Sequence, residues 1–141
     1  MRRVYFDSMI FIYLWENHPR FGPRVDELLE RMGTRGDVLC TSVFTMGEVL
    51  AALRQQDPYL EQRVRSGFLD PAIEMIDFRP STAEFFATIR AYMKVSATDA
   101  IHLATAAEVG TDIFITNDAS LIGKQVPGIG VVAGLDSTFF G

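Results

Sequence analysis

The feature that most restricts the fold of this chain is an alternation of short apolar runs with longer segments of helical periodicity. Repeated β–α alternation is typical of a mostly parallel sheet covered by helices on both faces. Four runs, and a weaker fifth, have the length and composition of buried strands: 3–6, 38–41, 73–78, 113–116 and 129–133. The intervening helices are predicted at 8–15, 23–35, 44–55, 58–68, 81–94 and 98–109. We therefore predict an α/β fold with four or five strands.

The size of the chain favours one domain. It has 141 residues, of which 48% are hydrophobic and 22% charged, enough apolar material for one core. No internal repeat, linker or low-complexity segment interrupts the sequence. We predict a single domain over 1–141.

The charge balance limits how the chain could bind nucleic acid. The formal net charge is −5, so no general electrostatic attraction to a polyanion is expected, and any such binding has to be local. Arginine, the better bidentate phosphate ligand, greatly outnumbers lysine. Four basic residues are candidates for such contacts: Arg20, Arg24, Arg54 and Lys94.

The stretch VYFDSMIFIYLW near the N-terminus places one carboxylate, Asp7, in an apolar run. It resembles the start of a signal peptide, but Asp7 interrupts the run, no small-residue cleavage site follows, and the run is too short to span a membrane. We predict a cytoplasmic protein without a membrane segment. A buried charge is costly unless it is paired or holds a metal, so Asp7 needs a functional explanation.

Cys40 is the only cysteine. With a single cysteine, the sequence can form neither an internal disulfide nor a zinc site built from cysteines. Its position in the apolar run DVLCTSV predicts a small buried side chain on a strand.

Four acidic residues fall at predicted strand ends or helix starts. Asp7 and Asp118 follow strands, Asp99 opens a helix, and Glu48 lies early in the helix after the second strand. The carboxyl ends of parallel strands share one edge of a sheet, which is where ligands bind in such folds. We therefore expect these four carboxylates to lie near one another.

Taken singly, three of these acids have simpler interpretations. Asp99 could cap its helix, Asp118 could stabilise a turn, and Glu48 could be a solvated helix residue. Together, however, four converging carboxylates repel one another, and a cation relieves that repulsion. Ligands that are all oxygen suit Mg²⁺ or Mn²⁺.

Other acids provide a contrast. Asp37 and Asp112 precede their strands, so they are expected at the opposite edge of the sheet. Asp77 does end a strand, but we place that strand at the margin of the sheet and exclude Asp77 from the site.

Four segments in this order resemble the PIN domain, in particular the VapC-like toxin ribonucleases of toxin–antitoxin pairs. They are VYFDSMIFIYLW, SVFTMGEVLAAL, SATDAIHLATAAEVG and FITND, and the resemblance covers nearly the whole chain. It implies a three-layer α/β/α sandwich and metal-dependent hydrolysis of RNA phosphodiester bonds. It also implies neutralisation by an antitoxin protein and assembly as a homodimer.

Transferred onto this sequence, the resemblance implies an acidic quartet that holds one or two Mg²⁺ or Mn²⁺ ions: Asp7, Glu48, Asp99 and Asp118. Glu48 either ligates metal or orients the attacking water. Thr116 and Ser8 match supporting hydroxyl positions of the family.

Two alternative functions remain open on the sequence. One is a PIN-like binding module without activity, and the other is a phosphoryl-receiver signalling domain that uses Mg²⁺. His102 either packs in the core or orients another group of the site. Phe139 and Phe140 either pack on the core or contact a partner.

Overall fold

Five strands alternate with six helices in the computed structural model, which describes residues 1–136. The strands are β1 (Arg3–Phe6), β2 (Val38–Ser42), β3 (Ile73–Ile76), β4 (Ile113–Ile115) and β5 (Val131–Ala133). The helices are α1 (Ser8–Trp15), α2 (Gly22–Arg35), α3 (Val43–Leu53), α4 (Pro58–Phe68), α5 (Pro80–Tyr92) and α6 (Ala97–Glu108). The alternation predicted from the sequence is confirmed, with a fifth strand. The tail that carries Phe139 and Phe140 lies outside the described residues.

The sheet is parallel throughout, and its strand order is β3-β2-β1-β4-β5. The central strand β1 pairs with β2 and β4, so that Tyr5 lies opposite both Cys40 and Phe114. Receiver domains of the flavodoxin-like type have the order 2-1-3-4-5. The receiver alternative is therefore wrong, because the crossovers of this chain build a different sheet.

The alternating side chains of β1 contribute to two separate cores. Val4 and Phe6 face the first core, which contains Phe11 of α1 and Phe68 of α4. Tyr5 faces the second core, which α5 and α6 cover. The three-layer α/β/α sandwich expected from the sequence is confirmed.

Side-chain caps set where the helices at the carboxyl edge begin. Asp7 accepts from the Ile10 N–H at the start of α1, and Ser42 accepts from the Thr45 N–H at the start of α3. Ser96 does the same for α6. Because a cap fixes the first turn, these boundaries place Asp7 and the first turn of α3 directly after β1 and β2, whereas α6 follows α5.

The acids that the sequence analysis excluded from the site lie away from it, as expected. The Asp37 carboxylate pairs with Arg2 at 3.1 Å, and Asp112 accepts from the Arg3 backbone N–H at 2.8 Å, both at the amino edge of the sheet. Asp77 follows β3, which is an edge strand.

Among residues 1–136, no helix is both long enough and apolar enough to cross a bilayer.

The burial of Cys40 predicts slow chemical modification. Its side chain is fully buried, and desolvation raises the pKa of the thiol to about 12. Because the thiolate is the reactive form, we expect native protein at pH 8 to react with iodoacetamide at least about a thousandfold more slowly than a free thiol. Mass spectrometry of labelled protein measures this rate, and protein in guanidinium is the control. Fast labelling of the native protein would contradict the burial of Cys40.

Candidate active site

The sheet has a topological switch point at β1 and β4. The chain leaves β1 toward β2 on one side and later returns to β4 on the other, which opens a crevice at their carboxyl ends. Ligands of open α/β sheets bind in such crevices. Asp7 directly follows β1, and Thr116 directly follows β4. The crevice is therefore the natural place for a site.

Asp7 is half-buried at the mouth of this crevice. Burial raises the pKa of its carboxyl, and the nearby Asp99 carboxylate adds to that effect, while a hydrogen bond with Thr116 and the proximity of His102 act in the opposite direction. The influence of Asp99 on Asp7 shows that α6 brings the two carboxylates within electrostatic range. No ion pair joins Asp7 to an arginine or lysine within residues 1–136.

The Thr116 hydroxyl lies between the residues that follow the two central strands, β1 and β4. Its oxygen accepts from the Asp118 backbone N–H at 3.1 Å, and the hydroxyl also lies close enough to Asp7 to lower the pKa of that carboxyl. Thr116 is fully buried, so both contacts are held in place. The Asp118 carboxylate itself is exposed and accepts from the N–H and the hydroxyl of Ser120.

Glu48 lies in α3, where two donors hold one of its oxygens. Ser8 Oγ lies 2.5 Å from Glu48 Oε1, and His102 Nε2 lies 2.7 Å from the same atom. Burial alone would raise the pKa of Glu48, but the hydrogen bonds from His102 and Ser8 outweigh it, so the pKa lies below its ordinary value. The carboxylate of Glu48 is thus kept ionised and oriented.

The four predicted acids are gathered at one edge but do not form a closed cage. Within residues 1–136, no three His, Cys, Asp or Glu side chains surround a common point as a ready-made metal site. Mg²⁺ rarely needs such a cage, because it keeps several waters and binds through one or two carboxylates together with substrate phosphate. The pair Asp7 and Asp99, close enough for the Asp99 carboxylate to raise the pKa of Asp7, fits that requirement.

Three of the four predicted RNA contacts are already engaged within the protein. Arg24 forms an ion pair with Asp136, and Arg54 pairs with Glu61 at 2.7 Å. The Arg20 guanidinium lies over the Phe21 ring, 5.0 Å from its centre. Lys94 is exposed in the loop before α6, and no ion pair of the described residues involves it. Of the four, Lys94 is the nearest to Asp99 along the sequence.

Sequence reasoning missed two residues that complete the site. Tyr5 and Thr45 are fully buried, and their hydroxyl oxygens lie 2.8 Å and 3.3 Å from His102 Nδ1. Tyr5 precedes Asp7 by two residues on the same strand face, and Thr45 precedes Glu48 by three on one face of α3. These spacings are the only signal in the sequence that could have found them.

Comparison with known proteins places the chain among characterised folds. The PIN domain family model matches residues 4–124. A search of curated proteins found no match.

Solved structures with the same fold include toxin–antitoxin proteins from several bacteria. VapBC2 from Rickettsia felis, bound to a promoter DNA fragment, aligns with a TM-score of 0.76 at 16% identity over 94% of this chain and 98% of that one. DNA-bound VapBC from Salmonella typhimurium gives a TM-score of 0.74 at 22% identity over 96% and 99%. Mycobacterium tuberculosis VapC20, a toxin that cleaves the sarcin–ricin loop, gives 0.66 at 15% over 79% and 86%. With the family model matching most of its length, the chain belongs to the PIN domain family.

Proposed function

We propose that this protein is a metal-dependent ribonuclease, the toxin of a toxin–antitoxin pair. The observation that carries the proposal is the pair of coupled carboxylates, Asp7 and Asp99, at the switch point of a PIN domain. We further propose that residues 1–141 form one domain and that the protein acts in the cytoplasm. The match of the family model to 4–124 supports a single domain.

Asp7, Asp99 and Asp118 would hold one or two Mg²⁺ or Mn²⁺ ions, directly or through water, and Glu48 would complete the set. When bound, such ions neutralise the charge that develops on a scissile phosphate and lower the pKa of water to supply the nucleophile. The donor set is all oxygen, which suits these hard cations.

The protein side chains around the acids hold them for this chemistry. Thr116 lies beside Asp7 and lowers the pKa of its carboxyl, while Ser8 and His102 together engage one oxygen of Glu48. The second Glu48 oxygen is then available to orient the attacking water. The N-terminus of α6 adds partial positive charge close to Asp99, which favours the nearby carboxylate and the substrate phosphate.

The contacts to the RNA backbone would come from basic residues around the acidic site. Lys94 is the first candidate, and Arg20, Arg24 and Arg54 are the others. Arg24 and Arg54 would have to exchange their present ion pairs for phosphate. Surface ion pairs contribute little to stability, so such an exchange costs little.

The proposed partners are an antitoxin protein and a second copy of this chain. The support is the fold shared with VapBC structures whose toxin and antitoxin were solved together. Copurification with the product of an adjacent gene would identify the antitoxin, and light scattering would determine the oligomeric state.

The test is cleavage of single-stranded RNA by purified protein with Mg²⁺, with EDTA, and with a substrate carrying 2′-deoxyribose at the cut position. Attack by water does not use the 2′-hydroxyl, so we expect cleavage with Mg²⁺, none with EDTA, and retained cleavage of the deoxy substrate. Products ending in 2′,3′-cyclic phosphate in the presence of EDTA would contradict the mechanism. Absence of cleavage under all conditions, with RNA binding retained, would favour the inactive binding module.

A further inference from the structure

We propose that Tyr5 fixes the tautomer of His102 and that His102 thereby orients Glu48 for its role in the site. The catalytic part of this inference rests on the proposed function. Tyr5 and His102 act here as positioning residues, because neither is one of the carboxylates that would bind metal or substrate.

The three side chains form a continuous hydrogen-bonded chain. Tyr5 Oη lies 2.8 Å from His102 Nδ1, and His102 Nε2 lies 2.7 Å from Glu48 Oε1. Tyr5 is fully buried and His102 is 4% exposed, so solvent does not compete for the contact between them, whereas the Glu48 side chain is 30% exposed. The ring of Phe44, centred 5.4 Å from the imidazole, covers the histidine further.

The direction of each hydrogen bond follows from the chemistry of the groups. An ionised carboxylate only accepts, so Nε2 of His102 must carry the proton that it donates to Glu48. In the neutral imidazole only one ring nitrogen carries a proton, so Nδ1 is then an acceptor. The Tyr5 hydroxyl is thus the donor to Nδ1, and it selects the Nε2–H tautomer.

The result is that Glu48 Oε1 has two fixed donors. Nε2–H of His102 and the Ser8 hydroxyl both point to this atom. Two donors on one oxygen restrict the carboxylate to one orientation and leave Oε2 for a water or a ligand. Without the Tyr5 donor, only the more distant Thr45 hydroxyl, 3.3 Å from Nδ1, remains beside this nitrogen. The Nδ1–H tautomer then becomes accessible, and its bare Nε2 would repel the carboxylate.

The tautomer can be observed directly without RNA or metal. In full-length protein labelled with ¹⁵N-histidine, we expect Nε2 of His102 to give the signal of a protonated nitrogen and Nδ1 that of an unprotonated, hydrogen-bonded one. The His102→Gln variant removes these signals and so separates them from those of His18. A wild-type spectrum with Nδ1 protonated would overturn the proposal.

The effect on catalysis is tested with matched hydroxyl deletions. Tyr5→Phe should lower kcat about tenfold, the usual effect of losing an outer hydrogen-bond partner, with KM for RNA unchanged and the Nδ1 signal shifted. Tyr13→Phe removes a hydroxyl that pairs with Asn117 instead, and should change neither kcat nor the His102 signals. An unchanged kcat in Tyr5→Phe would overturn the positioning role.

Rescue by a conservative variant separates positioning from simple packing. His102→Gln keeps an N–H near the position of Nε2 and should retain most of the activity, whereas His102→Leu should lose at least about tenfold. Equal activity of the two folded variants would overturn the proposal, and this pair decides it even if Tyr5→Phe does not fold. If the wild type cleaves no RNA, the proposed function fails, while the spectrum still decides the tautomer.

Discussion

Replacing Asp7 with Asn is expected to lower RNA cleavage about a thousandfold, because the loss of one carboxylate ligand removes about 4 kcal/mol of transition-state stabilisation. Asn keeps the size and the capping oxygen of Asp7, so α1 should still begin at Ser8. Initial rates on single-stranded RNA with saturating Mg²⁺ measure the effect.

The matched control for this substitution is Asp77→Asn. Asp77 is an exposed acid that follows the edge strand β3, which β2 separates from the switch point. We expect its removal to leave the rate unchanged. A loss in Asp77→Asn equal to that in Asp7→Asn would mean that general charge, and not the position at the switch point, controls activity.

The same Asp7→Asn variant should be more stable than the wild type when metal is absent. Burial raises the pKa of Asp7, so the folded protein binds its proton more tightly than the unfolded chain does. The free energy of unfolding therefore falls as the pH rises from the ordinary aspartate pKa through the raised value, and above that value the wild type carries the full cost of the buried charge. Urea unfolding in EDTA at pH 7 measures this difference. A less stable Asp7→Asn protein would contradict it.

Replacing Phe11 with Ala should have the largest effect on stability, a loss of about 3–5 kcal/mol in the free energy of unfolding. Phe11 is 1% exposed, and its ring lies 4.9 Å from that of Phe68 and 5.2 Å from that of Trp15. Its removal leaves a cavity beneath α1, which begins directly after Asp7, and the aromatic neighbours can only partly fill it.

Chemical denaturation followed by tryptophan fluorescence and by circular dichroism measures the loss. Tyr92→Ala is the control, because Tyr92 is 85% exposed and its removal should change stability by less than about 0.5 kcal/mol. A loss below about 1 kcal/mol in Phe11→Ala would mean that the first core does not depend on this aromatic contact.

Much of the fold was predictable because its signals are local. Short apolar runs mark the strands, and Asp7, Ser42 and Ser96 cap helices through contacts three residues away. The strand order was not predictable in the same way, because a crossover to either side of β1 uses the same local sequence. Only the folded sheet shows that Asp7 and Thr116 flank a switch point.

In the site, too, the residues marked by local signals were predictable and the contacts between separate segments were not. The four acids and Thr116 stand at element ends that the sequence marks, so their grouping at one edge could be expected. The pairing of Arg24 with Asp136 and of Arg54 with Glu61 could not, since both join separate segments. The contact of Tyr5 with His102 spans 97 residues and depends on how α6 packs against the sheet.

The central claim, that the acids at this edge bind a divalent metal, is tested most directly by a Mn²⁺ titration followed by electron paramagnetic resonance, which detects the free ion. Wild-type protein should take up one or two Mn²⁺ ions per chain, which Mg²⁺ displaces. Asp7→Asn and Asp99→Asn should each bind much more weakly, while Asp77→Asn should bind like the wild type. No uptake by folded wild-type protein, or equal uptake by all four proteins, would contradict the proposed metal site.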